Sequence, residues 1–208
     1  MTLRIGGLLA LALIPVAAGS VRLLEMSGGP ELIPADPRFA ASPIPVVVHI
    51  VAAITYAVFG AFQFSARIRR RRPARHRRAG RVLAPLGLAV VASALWMTLF
   101  YPQQEGTGDL LYLFRLLAAS GMGAAVILGV SAIRQRDIAA HRAWMTRAYA
   151  LALGAGTQAF TQGFGEAAFG TGGVRTDLYM GAGWAINLAV AEWIIRRPAT
   201  RARLAPAR

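Results

Sequence analysis

The chain has no cysteine and no lysine, and only nine acidic residues among its 208. Without cysteine there is no structural disulfide and no thiolate metal site. Without lysine, all 23 basic residues are arginine. That choice suggests a GC-rich genome, a coding bias before it is a chemical one. Charge is scarce overall: 15% of residues are charged, against roughly 25% in an ordinary soluble domain. No long polar linker divides the chain, so one domain over 1–208 is the natural count. Also missing are a glycine-rich phosphate loop, a metalloprotease helix motif and a nucleophile elbow. The glycines of Gly121-Met122-Gly123 and Gly154-Ala155-Gly156 read instead as points of helix contact.

What the chain does have is apolar length. It is 56% hydrophobic, with mean hydropathy +0.48. Apolar runs near the length of a bilayer crossing recur at 5–21, 43–66, 82–101, 110–133, 144–164 and 178–195. A helix satisfies its own backbone hydrogen bonds, as lipid requires. The expectation is an all-α, polytopic integral membrane protein with six transmembrane helices. The first run has a rival reading: Arg4, an apolar core and Ala17-Ala18-Gly19-Ser20 together resemble a cleavable signal peptide. A retained helix is favoured, because the run is slightly long for a leader and six helices close the topology.

Arginine placement orients the helices. With the N-terminus inside, the inner segments 1–4, 67–81, 134–147 and 196–208 hold 19 of the 23 arginines, and the outer loops hold only Arg22, Arg38 and Arg175. Acidic residues do the opposite: Glu25, Glu31, Asp36, Glu105, Asp109, Glu166 and Asp177 fall outside or at the outer edge. Basic loops resist translocation, so both termini are expected in the cytoplasm. The same asymmetry accounts for the net charge of +14 without a nucleic-acid partner. The expected partners are membrane lipids, with anionic headgroups against 67–81. The outer loop 22–42, with Pro30, Pro34 and Pro37, reads as an irregular cap, and the outer loop 165–177 as glycine-rich and mobile.

The inner loops echo one another. His76-Arg77-Arg78-Ala79-Gly80-Arg81 precedes the third helix, and His141-Arg142-Ala143-Trp144-Met145-Thr146-Arg147 precedes the fifth. Helices two and three then form one hairpin and helices four and five a second, giving a four-helix core with the first and sixth helices outside it.

Gly60-Ala61-Phe62-Gln63-Phe64, His76-Arg77 with Gly80-Arg81-Val82, and His141-Arg142 with Trp144-Met145, Arg147 and Tyr149-Ala150-Leu151 carry a resemblance. Asn187 and Glu192-Trp193 extend it. Over about 45–195 the chain resembles a bacterial membrane-protein family catalogued as domain of unknown function 2306. The resemblance implies a polytopic fold in the bacterial cytoplasmic membrane and no established activity.

Polar residues inside the apolar runs are the candidates for function. His49, Tyr56 and Gln63 recur at spacings of seven and share a helix face. They read either as a polar seam joining neighbouring helices or as a ligand or proton site. Arg115 lies inside the fourth run and must snorkel or pair; Glu166 is its expected counter-ion. Thr157, Gln158, Thr161 and Gln162 precede Glu166 on the fifth run. His49, Arg115, Gln158, Gln162 and Glu166 could together line an outward polar cavity.

His76 and His141 form an inner pair that could ligate haem b or a metal, with arginines on haem propionates, or could contact lipid phosphate. Arg77, Arg81, Arg142, Arg147 and Glu192 are the expected lipid or ion-pair residues of that face. The leading expectation is a non-enzymatic carrier, sensor or assembly partner with a polar intramembrane cavity. The alternatives are a redox protein using His76 and His141, and a lipid-headgroup enzyme with either histidine as base.

Overall fold

The structure is a computed structural model that describes residues 2–34, 36–39 and 41–197. The side chain of Arg4, and Arg201, Arg203 and Arg208 of the inner segments, lie outside the described residues. Eight α-helices follow one another: α1 (Thr2–Met26), α2 (Pro43–Gln63), α3 (Ala66–Arg71), α4 (Pro73–Phe100), α5 (Asp109–Arg134), α6 (Ile138–Ala152), α7 (Gly154–Phe169) and α8 (Gly173–Arg196). No strand occurs among the described residues.

Local chemistry sets the helix boundaries. Pro43 opens α2, where its missing N–H costs nothing. Ser65 starts α3 by accepting from the Ile68 N–H, and Asp137 starts α6 by accepting from the Ala140 N–H. The turn from α5 into α6 is tight and places Arg136 at φ 64.

The described residues of the 22–42 segment are irregular beyond Met26, as its prolines imply, apart from a 3₁₀ turn at Pro37–Phe39. Charge holds it together. Glu25 pairs with Arg22 and accepts from the Leu32 and Ile33 N–H groups, while Arg22 donates to the Pro34 carbonyl. Arg38 grips Asp36 and holds its carboxyl below the usual carboxylate range. Tyr101 donates to the Ser42 carbonyl and ties the segment to the end of α4.

Among the described residues, five helices are long and apolar enough to cross a membrane: α1 from Ile5, α2, α4, α5 and α8. The expected single helix over 144–164 is instead two, α6 of 15 residues and α7 of 16, divided at Leu153. Neither reaches the roughly 20 residues of a crossing alone. The apolar run is continuous across the break, so hydropathy gave no sign of it. The expected loop at 165–177 is also mostly helix, with only Gly170–Gly172 between α7 and α8. The arginine-rich segment 67–81 is helical too, in α3 and the first turns of α4.

The core sits among α2, α4, α5 and α6, as the two-hairpin reading places it. Its buried residues include Ala57, Ala61, Val90, Met122, Val126 and Tyr149. Small residues let the helices approach closely. A side chain at Gly87 would meet the Tyr56 ring, and one at Gly129 would meet Met145. The periphery is the reverse: Leu13, Phe59, Leu117, Ile127 and Phe164 are all more than half exposed. Apolar exposure on this scale belongs against lipid. α1 joins the bundle through Ala12 and a backbone approach of Leu11 to Gly156 of α7.

Candidate functional site

The residues expected to line one outer cavity are distributed over three places. His49 faces α4, with its Nδ1 3.0 Å from Ser93 Oγ. The Ser93 hydroxyl donates to the Ala89 carbonyl at 2.6 Å, so its oxygen is left to accept from the imidazole N–H. Tyr56 continues the same face against Gly87 and lies 6.0 Å, ring to ring, from Tyr149. Tyr149 donates to the Ala57 carbonyl at 2.6 Å and packs 4.9 Å from Phe64. Gln63 ends the helix, where its carbonyl accepts from Arg69. The seam thus has the arrangement of interhelical hydrogen-bonding glue.

The second place is the break between α6 and α7. At Leu153 (φ −80, ψ 2) the ladder loosens: its N–H still donates to the Tyr149 carbonyl at 3.0 Å, but its own carbonyl is shared between the Gly156 N–H at 3.0 Å and the Thr157 N–H at 3.4 Å. Asn187 of α8 answers the break: its Nδ2 donates to the Ala150 carbonyl at 3.0 Å, and its Oδ1 accepts from Thr157 at 2.7 Å. Gln158 is buried and donates to the Met180 carbonyl of α8 at 2.9 Å. The Trp184 ring lies so close to Gly154 that no side chain fits there. Substituting Asn187→Leu removes both bonds. It is expected to cost about 1 kcal/mol, the scale of interhelical polar contacts in membranes, read as a lowered midpoint of unfolding in detergent.

The third place is the α4–α5 loop with the facing ends of α7 and α8. Arg115 reaches Gln104 Oε1 at 3.2 Å, not Glu166. Glu166 accepts from Gln162 Nε2 at 2.8 Å. The two acceptors open on one cavity of about 290 Å³, lined by Gln104, Glu105, Gln162, Glu166, Thr107 and Thr176 among others, with no arginine in its lining.

Sequence reasoning missed the residue that builds this end. Asp177 of α8, completely buried, accepts from the Gly108 N–H at 2.9 Å and from the Leu111 N–H at 3.1 Å. Those are the N-cap and third positions of α5, so a carboxylate from another helix caps it. The one available signal was an acid bordering the sixth apolar run at 178–195, which read as an outer-edge charge of the 165–177 loop.

At the opposite end, α3 and the starts of α4 and α6 gather cations. His141 Nδ1 lies 2.8 Å from the Gly129 carbonyl, to which it donates. His76 keeps Nδ1 buried without a hydrogen-bond partner. Arg69, His141 and Arg77 are its electrostatic neighbours, so the two expected histidines do face one region. Burial, then the charges of Arg142 and Arg70, push the Arg69 guanidinium below its ordinary value. Arg147 is built in differently: it pairs with Glu192 of α8 at 2.5 and 3.1 Å and lies over the Trp144 ring. Glu192 also meets Arg196 at 3.4 Å. Arg81 and Arg77 make no ion pair among the described residues.

No curated protein and no solved structure matches the chain. A family model does, over residues 46–195, which takes in nearly all of α2 and runs almost to the end of α8. The segments bearing both His-Arg motifs, the α6–α7 break and Asn187 all fall inside that match. On its strength the chain belongs to the predicted membrane protein family described as domain of unknown function 2306.

Proposed function

We propose that this membrane protein is a non-enzymatic carrier or sensor that takes a small polar solute bearing a positive group at the Gln162–Glu166 end. The observation that carries this reading is the cavity itself. It has room for a small solute, two carboxylates (Glu105 and Glu166) and several amide and hydroxyl groups on its wall, and no arginine. Carboxylates there offer charge-assisted hydrogen bonds to an ammonium group. The break beneath it adds support. Interrupted helices with polar residues at the interruption are a recurring device at solute sites in transporters. In this reading α6 and α7 make the sixth crossing together. The arginine-rich end lies in the cytoplasm, where basic segments are retained, and the membrane is the bacterial cytoplasmic one.

The test uses the full chain in detergent, with choline, putrescine and ammonium as probes and glycerol and lactate as counter-probes. At tenfold excess over its dissociation constant a cationic probe is expected to raise the unfolding midpoint by roughly 3–5 °C. The variant Glu166→Gln is expected to lose that shift. Equal shifts from neutral or anionic probes, or an undiminished shift in the variant, would defeat the proposal.

A further inference from the structure

We propose that the other end of the bundle holds a phosphate-binding site formed by Arg69 of α3, His76 at the start of α4, and His141 and Arg142 at the start of α6. The phosphate comes from an anionic phospholipid headgroup or from free phosphate. This site is independent of the Gln162–Glu166 cavity.

Three observations converge on it. First, the four groups form a connected chain of like kind. Arg69 feels the charge of Arg142, and His76 feels Arg69 and His141. No carboxylate forms an ion pair with Arg69 or Arg142 among the described residues. Bringing cations together costs energy that a fold recovers when an anion sits among them. Arg147, five residues beyond Arg142, shows the contrast, because Glu192 neutralises it within the protein.

Second, His76 Nδ1 is buried with no hydrogen-bond partner. A buried polar atom without a partner is costly, so its persistence calls for an acceptor or donor from outside the chain. Third, both histidines lie in the opening turns of their helices: the His76 N–H donates to the Arg72 carbonyl and the His141 N–H to the Asp137 carbonyl. The positive end of α4, which has no side-chain cap, adds to the attraction for an anion, whereas the start of α6 already carries the Asp137 carboxylate. The chemistry runs against a metal cation here, since Arg69 and Arg77 lie near the His76 imidazole and Arg142 near Arg69. It fits a phosphate oxygen, for which arginine offers paired donors and an imidazole N–H a further one.

The experiment is native mass spectrometry of the full chain, released from phosphatidylcholine nanodiscs doped with phosphatidylglycerol and, in a parallel arm, incubated with inorganic phosphate. Wild type is expected to retain phosphatidylglycerol, and the double variant Arg69→Gln/Arg142→Gln to bind it at least tenfold more weakly. The double variant Arg134→Gln/Arg136→Gln removes the same charge from the neighbouring turn and is expected to stay within twofold of wild type. Should the glutamine pair fail to fold, Arg69→Lys/Arg142→Lys keeps the charge but not the forked donors, and is expected to weaken retention severalfold. Displacement of the lipid by inorganic phosphate assigns the site to free phosphate, and resistance to it assigns the site to the headgroup; both uphold the phosphate chemistry. Equal weakening in the Arg134/Arg136 control, absence of both ligands from wild type, or a Soret band after haem-replete expression would each overturn it.

Discussion

Replacing Asp177 by alanine is expected to destabilise the protein by about 3 kcal/mol, the sum of two hydrogen bonds to a buried charged group. The carboxylate is fully buried and holds the Gly108 and Leu111 N–H groups together. Alanine leaves the buried Leu111 donor and the half-buried Gly108 donor without this acceptor, and also removes the negative charge from the positive end of α5. No neighbour can substitute. The carboxylate crosses to the α5 terminus from α8, and even a methyl group at Gly108 would crowd it at 2.9 Å. Asp177→Asn keeps one acceptor oxygen but loses the charge, so it is expected to cost about half as much. The measurement is unfolding by SDS titration in mixed micelles, joined to hydrogen exchange. Faster exchange confined at first to 108–112 identifies the lost cap. A midpoint for Asp177→Ala indistinguishable from wild type would mean that α5 starts without it. Because the α4–α5 loop lines the Gln162–Glu166 cavity, the alanine variant is also expected to weaken whatever that cavity binds.

Asp177 also marks where sequence reading ends. Hydropathy located five of the helices that span because each apolar run carries its own signal, independent of its neighbours. The helical break at Leu153 was invisible for the same reason. Leucine, glycine and alanine on either side are all apolar, and the event lies in backbone geometry that Asn187 stabilises from 34 positions away. Turns shorter than expected, such as Gly170–Gly172, were hidden because glycine-rich sequence reads as loop even where close packing against Tyr179 makes a glycine useful within a helix.

The candidate sites divide along the same line. Spacing alone placed His49 and Tyr56 on one face, and the structure has that face against α4. The repeated His-Arg motif foretold two matching helix starts, and His76 and His141 do face one region. The partners were out of reach. Ser93, Gln104 and Met180 are chosen by which helices touch, and a single sequence carries no trace of that. The expected Arg115–Glu166 pair is the clearest case. Both residues approach the same end, but Gln104 on the intervening loop takes the guanidinium and Gln162 the carboxylate. Charge counting assigns residues to an end of the bundle and leaves their pairing undetermined.

The second large effect is expected at Gly60, in the centre of the core. Its Cα faces the Tyr149 ring so closely that an added Cβ would come within 2.6 Å of a ring carbon. The ring has nowhere to go. Its hydroxyl is bonded to the Ala57 carbonyl, its faces meet Tyr56 and Phe64, and it is 4% exposed. Gly60→Leu therefore forces α2 away from α6, with an overpacking cost of about 3 kcal/mol and loss of the Tyr149 hydrogen bond besides. Tyr149→Ala alone is expected to cost about 3–5 kcal/mol by the cavity it leaves. The informative variant is the pair. If steric conflict is the cause, the leucine fills the space that the tyrosine vacates, and Gly60→Leu/Tyr149→Ala is more stable than the sum of the single losses by at least about 1 kcal/mol. Strictly additive losses in SDS unfolding would mean that the two helices do not meet at this contact. Gly60 leads the Gly60-Ala61-Phe62-Gln63-Phe64 segment and Tyr149 follows the second His-Arg motif, so the cycle tests directly whether the two hairpins close on each other through these residues.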